Sequence, residues 1–311
     1  MRARATVGAF ALLAAVSGFA MSALAGETDI RISAIDGVLA IPPGVERPPV
    51  ALLIAGSGPT DRDGNGPGIK PDLLKKLAGQ LAARKIATLR YDKRGAGGWK
   101  PEFGKPEDFR FKDYVEDAAA LADYLRDSGR FSKLILIGHS EGGLVAILTA
   151  RRTSADRVVL LATTSRRQGD LLKEQLARQL PPAVVKPIAD AIDAIMAGKI
   201  VDPTPPGLSL PPPMQPAFGS AFKEDPVAPL RLIEQPILIA GGGRDRQVAR
   251  VDFDELAAAS PAARKLWLEN MNHVLVDVAD ETDDLAAYNQ PERALNAALI
   301  DSIAAFIREA R

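Results

Sequence analysis

The stretch that most constrains this 311-residue chain is Gly138-His139-Ser140-Glu141-Gly142-Gly143, which follows the apolar run KLILI and precedes the helix-like run GLVAILTARR. A buried strand that turns abruptly into a helix strains the residue at the turn and lifts its side chain above the sheet. It also needs glycine wherever a Cβ would collide. A serine placed there offers its hydroxyl to a substrate, and the helix behind it aims free amides and a positive dipole end at developing negative charge. Gly-x-Ser-x-Gly alone recurs by chance, but set between a buried strand and a helix it predicts that Ser140 is a nucleophile.

The rest of the chain repeats the same alternation. VALLIAG at 50–56, IATLRYD at 86–92, RVVLLAT at 157–163 and PILIAGG at 236–242 are near-continuous apolar runs of the kind buried on both faces of a parallel sheet. Helical spacing appears between them, as in Tyr114, Ala118, Leu121 and Leu125 before Gly129, and again in Leu299, Ile303 and Phe306. Strand and helix in alternation imply a mostly parallel, doubly wound α/β sheet. IRISAIDGVLAIP reads as an antiparallel hairpin on its edge. One segment, about 166–230, departs from the pattern: Leu172, Leu176 and Leu180 mark one helix, Ile188, Ile192 and Ile195 another ended by Gly198, and prolines 205, 206 and 211–213 follow. Inserted between two sheet strands, it is expected to be a helical, proline-rich cap, irregular where proline removes backbone donors.

Residues 1–25 carry Arg2 and Arg4, an uncharged run and then Ala23-Leu24-Ala25. That is the pattern of a secretory signal peptide, with cleavage expected after Ala25 and a domain at 26–311, and it implies a periplasmic or secreted protein. An uncleaved membrane anchor is the rival, since the run approaches the roughly 20 residues that span a bilayer. The chain has no cysteine, which argues against a lipid anchor at the cleavage site and removes thiolate chemistry and cysteine metal sites. Basic and acidic residues balance at 39 each, and loss of Arg2 and Arg4 leaves 37 against 39, a balance that favours neither nucleic acid nor an anionic membrane. Oligomeric state is not legible.

A serine nucleophile needs a base, and there are only two histidines. His139 neighbours the nucleophile along the strand and is expected to point away from it and pack beside the sheet. His273, in ENMNHVL past the strand-like RKLWLE, has the position a base requires. The orienting carboxylate should end a strand between the two. Asp245 does so after PILIAGGGR, whereas Asp252, Asp254 and Glu255 are expected to be solvated on the next helix, and Asp277 and Asp280 follow the histidine and would break the order Ser, Asp, His. Two backbone donors for an oxyanion are expected at Glu141, directly after the nucleophile, and at Ser57 in the Gly56-Ser57-Gly58 loop, where Pro59 can donate nothing.

That loop continues DRDGNGPGIKPD, where Asp61, Asp63, Asn65, Gly66 and Asp72 occupy the positions of a calcium loop. Asp replaces the usual Glu at position 12, prolines 67 and 71 interrupt it and a strand precedes it. A hydrogen-bonded turn at Asp61, Arg62 and Asp63 that steadies the oxyanion loop is the expected role. No P-loop is present, and Gly95, Gly97 and Gly98 do not complete a dinucleotide fingerprint.

Together GSGPTDRDGN (56–65), YDKRG (91–95), GHSEGG (138–143), GGGRDRQV (241–248) and NHVL (272–275) resemble the small bacterial serine esterases of the α/β-hydrolase superfamily, over nearly all of residues 26–311. The resemblance implies the α/β-hydrolase fold and a triad of Ser140, Asp245 and His273. Two departures are Ala55-Gly56, where many relatives have His-Gly, and GAGGWK after YDKR, where relatives often carry a serine. The expectation is hydrolysis of small-molecule esters with short or medium acyl chains through an acyl-enzyme, with no metal or organic cofactor. Peptidase and thioesterase activity are rivals on the same fold, and a non-catalytic binding protein is a rival from another class.

Overall fold

Short runs of β-branched and aliphatic residues, too short for stable helices and apolar on both sides, form the strands of one sheet. The computed structural model describes residues 26–310. The proposed leader and its cleavage site therefore lie outside the described residues. The eight strands are β1 (Gly26–Ile32), β2 (Ile35–Ile41), β3 (Val50–Ile54), β4 (Ala87–Tyr91), β5 (Leu134–His139), β6 (Arg157–Leu161), β7 (Ile237–Gly242) and β8 (Arg264–Leu268), in the order β1-β2-β4-β3-β5-β6-β7-β8. β1 and β2 pair antiparallel as a hairpin, β2 pairs antiparallel with β4, and every pairing from β4 to β8 is parallel.

Each central strand feeds two cores. Leu52 and Ile54 of β3 join Leu134 and Leu136 of β5 under the helices α2 (Phe111–Asp127), α3 (Glu141–Ala150) and α8 (Arg250–Ala259). Ala51, Leu53, Ile135 and Ile137 face the other way, against α1 (Leu73–Ala83) and α10 (Ala297–Arg308). Period-2 alternation along a strand sends neighbours to opposite layers, so a run that is apolar throughout must be covered twice. Strands run the same way and end together, which brings the loops after β3, β5, β7 and β8 to one edge.

The segment between β6 and β7 is helical, as its spacing predicts. It contains α4 (Gln168–Gln179), α5 (Pro182–Met196), α6 (Gln215–Phe222) and α7 (Val227–Leu230), and the proline-rich stretch between α5 and α6 is irregular apart from one turn of 3₁₀ helix at Pro212–Met214. Ile188, Ile192, Ile195, Leu210 and Phe222 are buried in a separate small core, with Leu172 and Leu176 packed on it. The insertion thus has its own apolar centre. It also has an anchor: Asp252 of α8 is fully buried, not solvated as expected, and accepts hydrogen bonds from Thr164 Oγ1 (2.7 Å), Arg166 Nη2 (2.6 Å) and Ala249 N (3.0 Å). Burial pushes this carboxyl up, but the bonds from Arg166 and Thr164 outweigh it and hold the pKa below the ordinary aspartate value. Arg166 opens the insertion, so the pair ties its root to α8.

Candidate active site

The turn from β5 into α3 is set by close packing. A Cβ on Gly138 would lie 2.1 Å from Gly142 O, and one on Gly142 would lie 2.3 Å from Ile54 O, so only glycine fits at either place. Between them Ser140 is held at φ 54°, ψ −122°, outside the comfortable regions for an L-residue, by its amide donating to Leu161 O (2.8 Å) and its carbonyl accepting from Gly143 N (2.9 Å). Strain of this kind survives only where the surroundings dictate it, and here they aim the side chain off the sheet edge.

The loops after β7 and β8 bring Asp245 and His273 together. His273 Nδ1 lies 2.8 Å from Asp245 Oδ2, and both side chains are buried. The other oxygen, Asp245 Oδ1, accepts from the amides of Gln247 (2.8 Å) and Val248 (2.9 Å), so the carboxylate is fixed at both ends. With Nδ1–H donated to Asp245, the Nε2 of a neutral ring is the free acceptor. The His273 loop is itself pinned by buried Asn272, whose side chain donates to Asp284 (2.8 Å) and accepts from Val276 N (3.2 Å). Ser140 and His273 line one cleft of about 120 Å³, with Ser57, His139 and Tyr288. Among the described residues Ser140 Oγ and His273 Nε2 are not joined by a hydrogen bond. The rival carboxylates are engaged elsewhere: Asp277 accepts from Asn296 (2.7 Å), and Asp280 caps α9 (Glu281–Ala287) through Asp283 N (3.0 Å).

His139 does more than pack beside the sheet. Its ring is buried 4.8 Å from that of His273, and Nε2 donates to the His273 carbonyl at 2.8 Å. Burial, followed by the neighbouring His273, pushes its pKa down to about 3, so it is neutral and a donor at Nε2. A histidine next to Gly-x-Ser gives no local sign of this bond, because its partner is 134 residues away.

The amides of Ser57 and Glu141 make no hydrogen bond to a protein acceptor among the described residues, and both residues border the clefts that Ser140 enters. Gly56 lies against Ser140, since a Cβ on it would be 3.3 Å from Ser140 Cβ. The DRDGN turn behind this loop is hydrogen-bonded throughout: Asp61 Oδ1 accepts from Asp63 N (2.9 Å) and Asn65 N (2.8 Å), Asn65 and Asp72 bond reciprocally, and Asp63 receives Arg90 Nε (3.1 Å). These oxygens serve the turn.

Sequence reading missed what YDKRG does. Asp92 takes a bidentate pair from Arg62 (3.1 and 2.7 Å), and Arg94 gives one to Asp117 of α2 (2.7 and 2.8 Å). Between them Lys93 is buried, with its ammonium 2.7 Å from Gly56 O, 2.7 Å from Glu141 Oε1 and over the Tyr114 ring. Three consecutive charges, Asp92, Lys93 and Arg94, directly after an apolar strand were the available signal.

His139 makes stability depend on acid in a definite direction. Its ordinary pKa is 6.5 and its folded value about 3, so between those limits the unfolded chain binds more protons and stability falls as pH falls, by about 1.4 kcal/mol per pH unit at most, with no contribution above 6.5. His139→Gln removes this dependence. Chemical denaturation of the two proteins from pH 7 to pH 4 is expected to show their stability difference shrinking as pH drops; a constant difference would contradict it.

Comparison with known proteins agrees with this geometry. Residues 70–198 match the family model described as Hydrolase_4, serine aminopeptidase S33. Esterase EstD of Thermotoga maritima is 27% identical over 256 residues, 80% of this chain, and the chain spans 60% of that protein's length. Among solved structures, Est1E from Butyrivibrio proteoclasticus superposes with a TM-score of 0.57 at 16% identity, covering 91% of this chain and all of that one. The Pyrococcus furiosus esterase Pf2001 gives 0.57 at 14% identity and 91% of each chain. A puromycin-hydrolysing peptidase of Mycobacterium tuberculosis gives 0.57 at 18%, covering 91% of this chain and 40% of that one. By strand order, strained serine turn and these likenesses, the chain has the α/β-hydrolase fold.

Proposed function

We propose that the protein is a serine hydrolase that cleaves carboxylic esters, with Ser140 as nucleophile, His273 as general base and acid, and Asp245 as the carboxylate that orients it. The observation that carries this reading is the buried Asp245–His273 hydrogen bond, which opens on the cleft faced by the strained Ser140 turn. His273 Nε2 takes the Ser140 proton as Oγ attacks the ester carbonyl. The carbonyl oxygen then gains charge and accepts from the Ser57 and Glu141 amides. His273 passes the proton to the departing alkoxide, and water, deprotonated by the same ring, releases the acid from Ser140. The Ser140–His273 contact is the one that tightens along this path. None of these steps calls for a metal or organic cofactor.

One named neighbour is a peptidase, and the matching family model is described as a serine aminopeptidase. Among the residues lining the three clefts around Ser57, the carboxylate is Glu141, and Lys93 already neutralises it, so no free acid is placed to hold a substrate's terminal ammonium. That favours neutral esters. Ser140→Ala is expected to abolish labelling by a fluorophosphonate and hydrolysis of p-nitrophenyl esters with the fold intact, and Asp245→Asn to lower kcat by up to about 10⁴-fold. A wild-type protein that is neither labelled nor active would reject the reading.

The clefts also suggest how the substrate lies. His273, which must protonate the leaving oxygen, borders the cleft of about 120 Å³, whereas Glu141 borders two larger ones, about 250 Å³ against Leu144, Leu172 and Phe222 and about 350 Å³ against Trp99, Phe109 and Phe218. The alcohol is therefore small and the acyl group the larger, apolar part, reaching under the insertion. Methyl hexanoate is expected to exceed hexyl acetate in kcat/KM by at least about tenfold. The reverse order would reject the orientation and leave the esterase reading standing.

Residues 1–25 support export to the periplasm or medium, and the neutral charge balance offers nothing to nucleic acid. N-terminal sequencing of the exported protein is expected to begin at Gly26; a chain still carrying Met1 in the membrane fraction would reject cleavage.

A further inference from the structure

We propose that Lys93 is a positioning residue that sets both oxyanion donors at once, an inference that rests on the serine-hydrolase reading above. Its ammonium is buried between two partners from different loops, Gly56 O at 2.7 Å and Glu141 Oε1 at 2.7 Å. The peptide joining Gly56 to Ser57 is trans and planar, so its N–H points opposite to its C=O. Tying the Gly56 carbonyl to Lys93 therefore turns the Ser57 amide away from Lys93. Gly56 itself faces Ser140 Cβ, and Ser57 borders the clefts that Ser140 enters, so the freed amide lies on the reacting side.

The second donor is held through its own side chain. Glu141 is the first residue of α3, its amide makes no bond to a protein acceptor among the described residues, and its carboxylate ends on the same ammonium. Lys93 is fixed in turn: its backbone N–H donates to Thr60 O (3.1 Å) and its charge lies 4.1 Å from the centre of the Tyr114 ring. The link thus joins the loop after β3, the loop after β4 and the head of α3. An oxyanion hole is useful only when its donors are aimed before charge appears, because donors that must swing into place spend the stabilisation on reorganisation. A buried ion pair contributes little net stability compared with apolar groups of like volume, which fits a role in geometry more than in holding the fold together.

The test compares wild type with Lys93→Met/Glu141→Gln, which removes both charges together and so leaves neither buried alone. Arg157→Met serves as a structural control: Arg157 is equally buried, at the opposite end of β6, where it donates to Glu309 O (2.8 Å). Rates are expressed per site titrated with a fluorophosphonate, so that misfolded protein does not count. The double variant is expected to lose about 10²-fold in kcat with KM changed less than about threefold, and to bind a butylboronic acid, which forms a tetrahedral adduct on the serine, weaker by a matching factor. The Arg157 control is expected to lower the thermal midpoint and leave kcat per site unchanged. If the double variant does not fold, Lys93→Gln/Glu141→Gln takes its place with the same direction of change. Kcat per site within twofold of wild type in whichever variant folds would overturn the proposal while the esterase reading stood; a wild type that neither titrates nor turns over would instead remove that reading.

Discussion

The contact on which the site depends is the approach of one backbone turn to another strand's end. Gly138 and Gly142 bring the β5–α3 turn against the end of β3 so closely that a single methyl group at either would strike a carbonyl or its neighbour. Packing this tight does not adjust continuously, and it is what keeps Ser140 at positive φ in place of a relaxed conformation. The same contact places Gly56 beside Ser140, so the loop after β3 and the serine turn share one wall. Everything proposed about the chemistry needs that wall.

Around it the charges are arranged as tight pairs that link motifs distant in the chain. Arg62 with Asp92, Lys93 with Glu141 and Arg94 with Asp117 fasten the DRDGN turn, the serine turn and α2 to the loop after β4. Each pair takes ions out of water at a cost that its mutual attraction only partly offsets. Their effect is to make the loops at the sheet edge one object, with few ways to relax independently. His139, neutral and donating to the carbonyl of His273, does the same for the His273 loop without adding a charge beside it.

The insertion between β6 and β7 has an apolar centre of its own. Its helices bury Ile188, Ile192, Ile195 and Phe222 among themselves, and the fully buried Asp252 receives Arg166 at its root. A segment with its own small core and a charged anchor at one end can shape the walls of the larger clefts, while the loops at the sheet edge carry Ser140, Asp245 and His273. In the proposed division, the chemistry belongs to the sheet edge and the fit of the acyl group to the insertion.

Local periodicity was enough to read the parallel strands, the edge hairpin, the first two helices of the insertion and the last helix, because apolar runs and 3.6-residue spacing report which faces need burial; α6 and α7 were not read. As candidates for a reacting site, Ser140 stood out because glycines on both sides of it betray a crowded turn, His273 because the chain offers one other histidine, and Asp245 because it ends a strand between the two. The structure brought Asp245 and His273 to 2.8 Å and left Asp277 and Asp280 in other bonds. What the sequence could not disclose is who meets whom across the sheet. Asp252 reads as a solvated helix charge until Arg166, 86 residues earlier, covers it; Lys93 has no role in the sequence until Glu141, 48 residues on, receives it. The reason is physical: burial and pairing of a charge depend on which strands become neighbours, and the order β4-β3-β5-β6-β7 is decided by packing of the whole chain, not by any window within it.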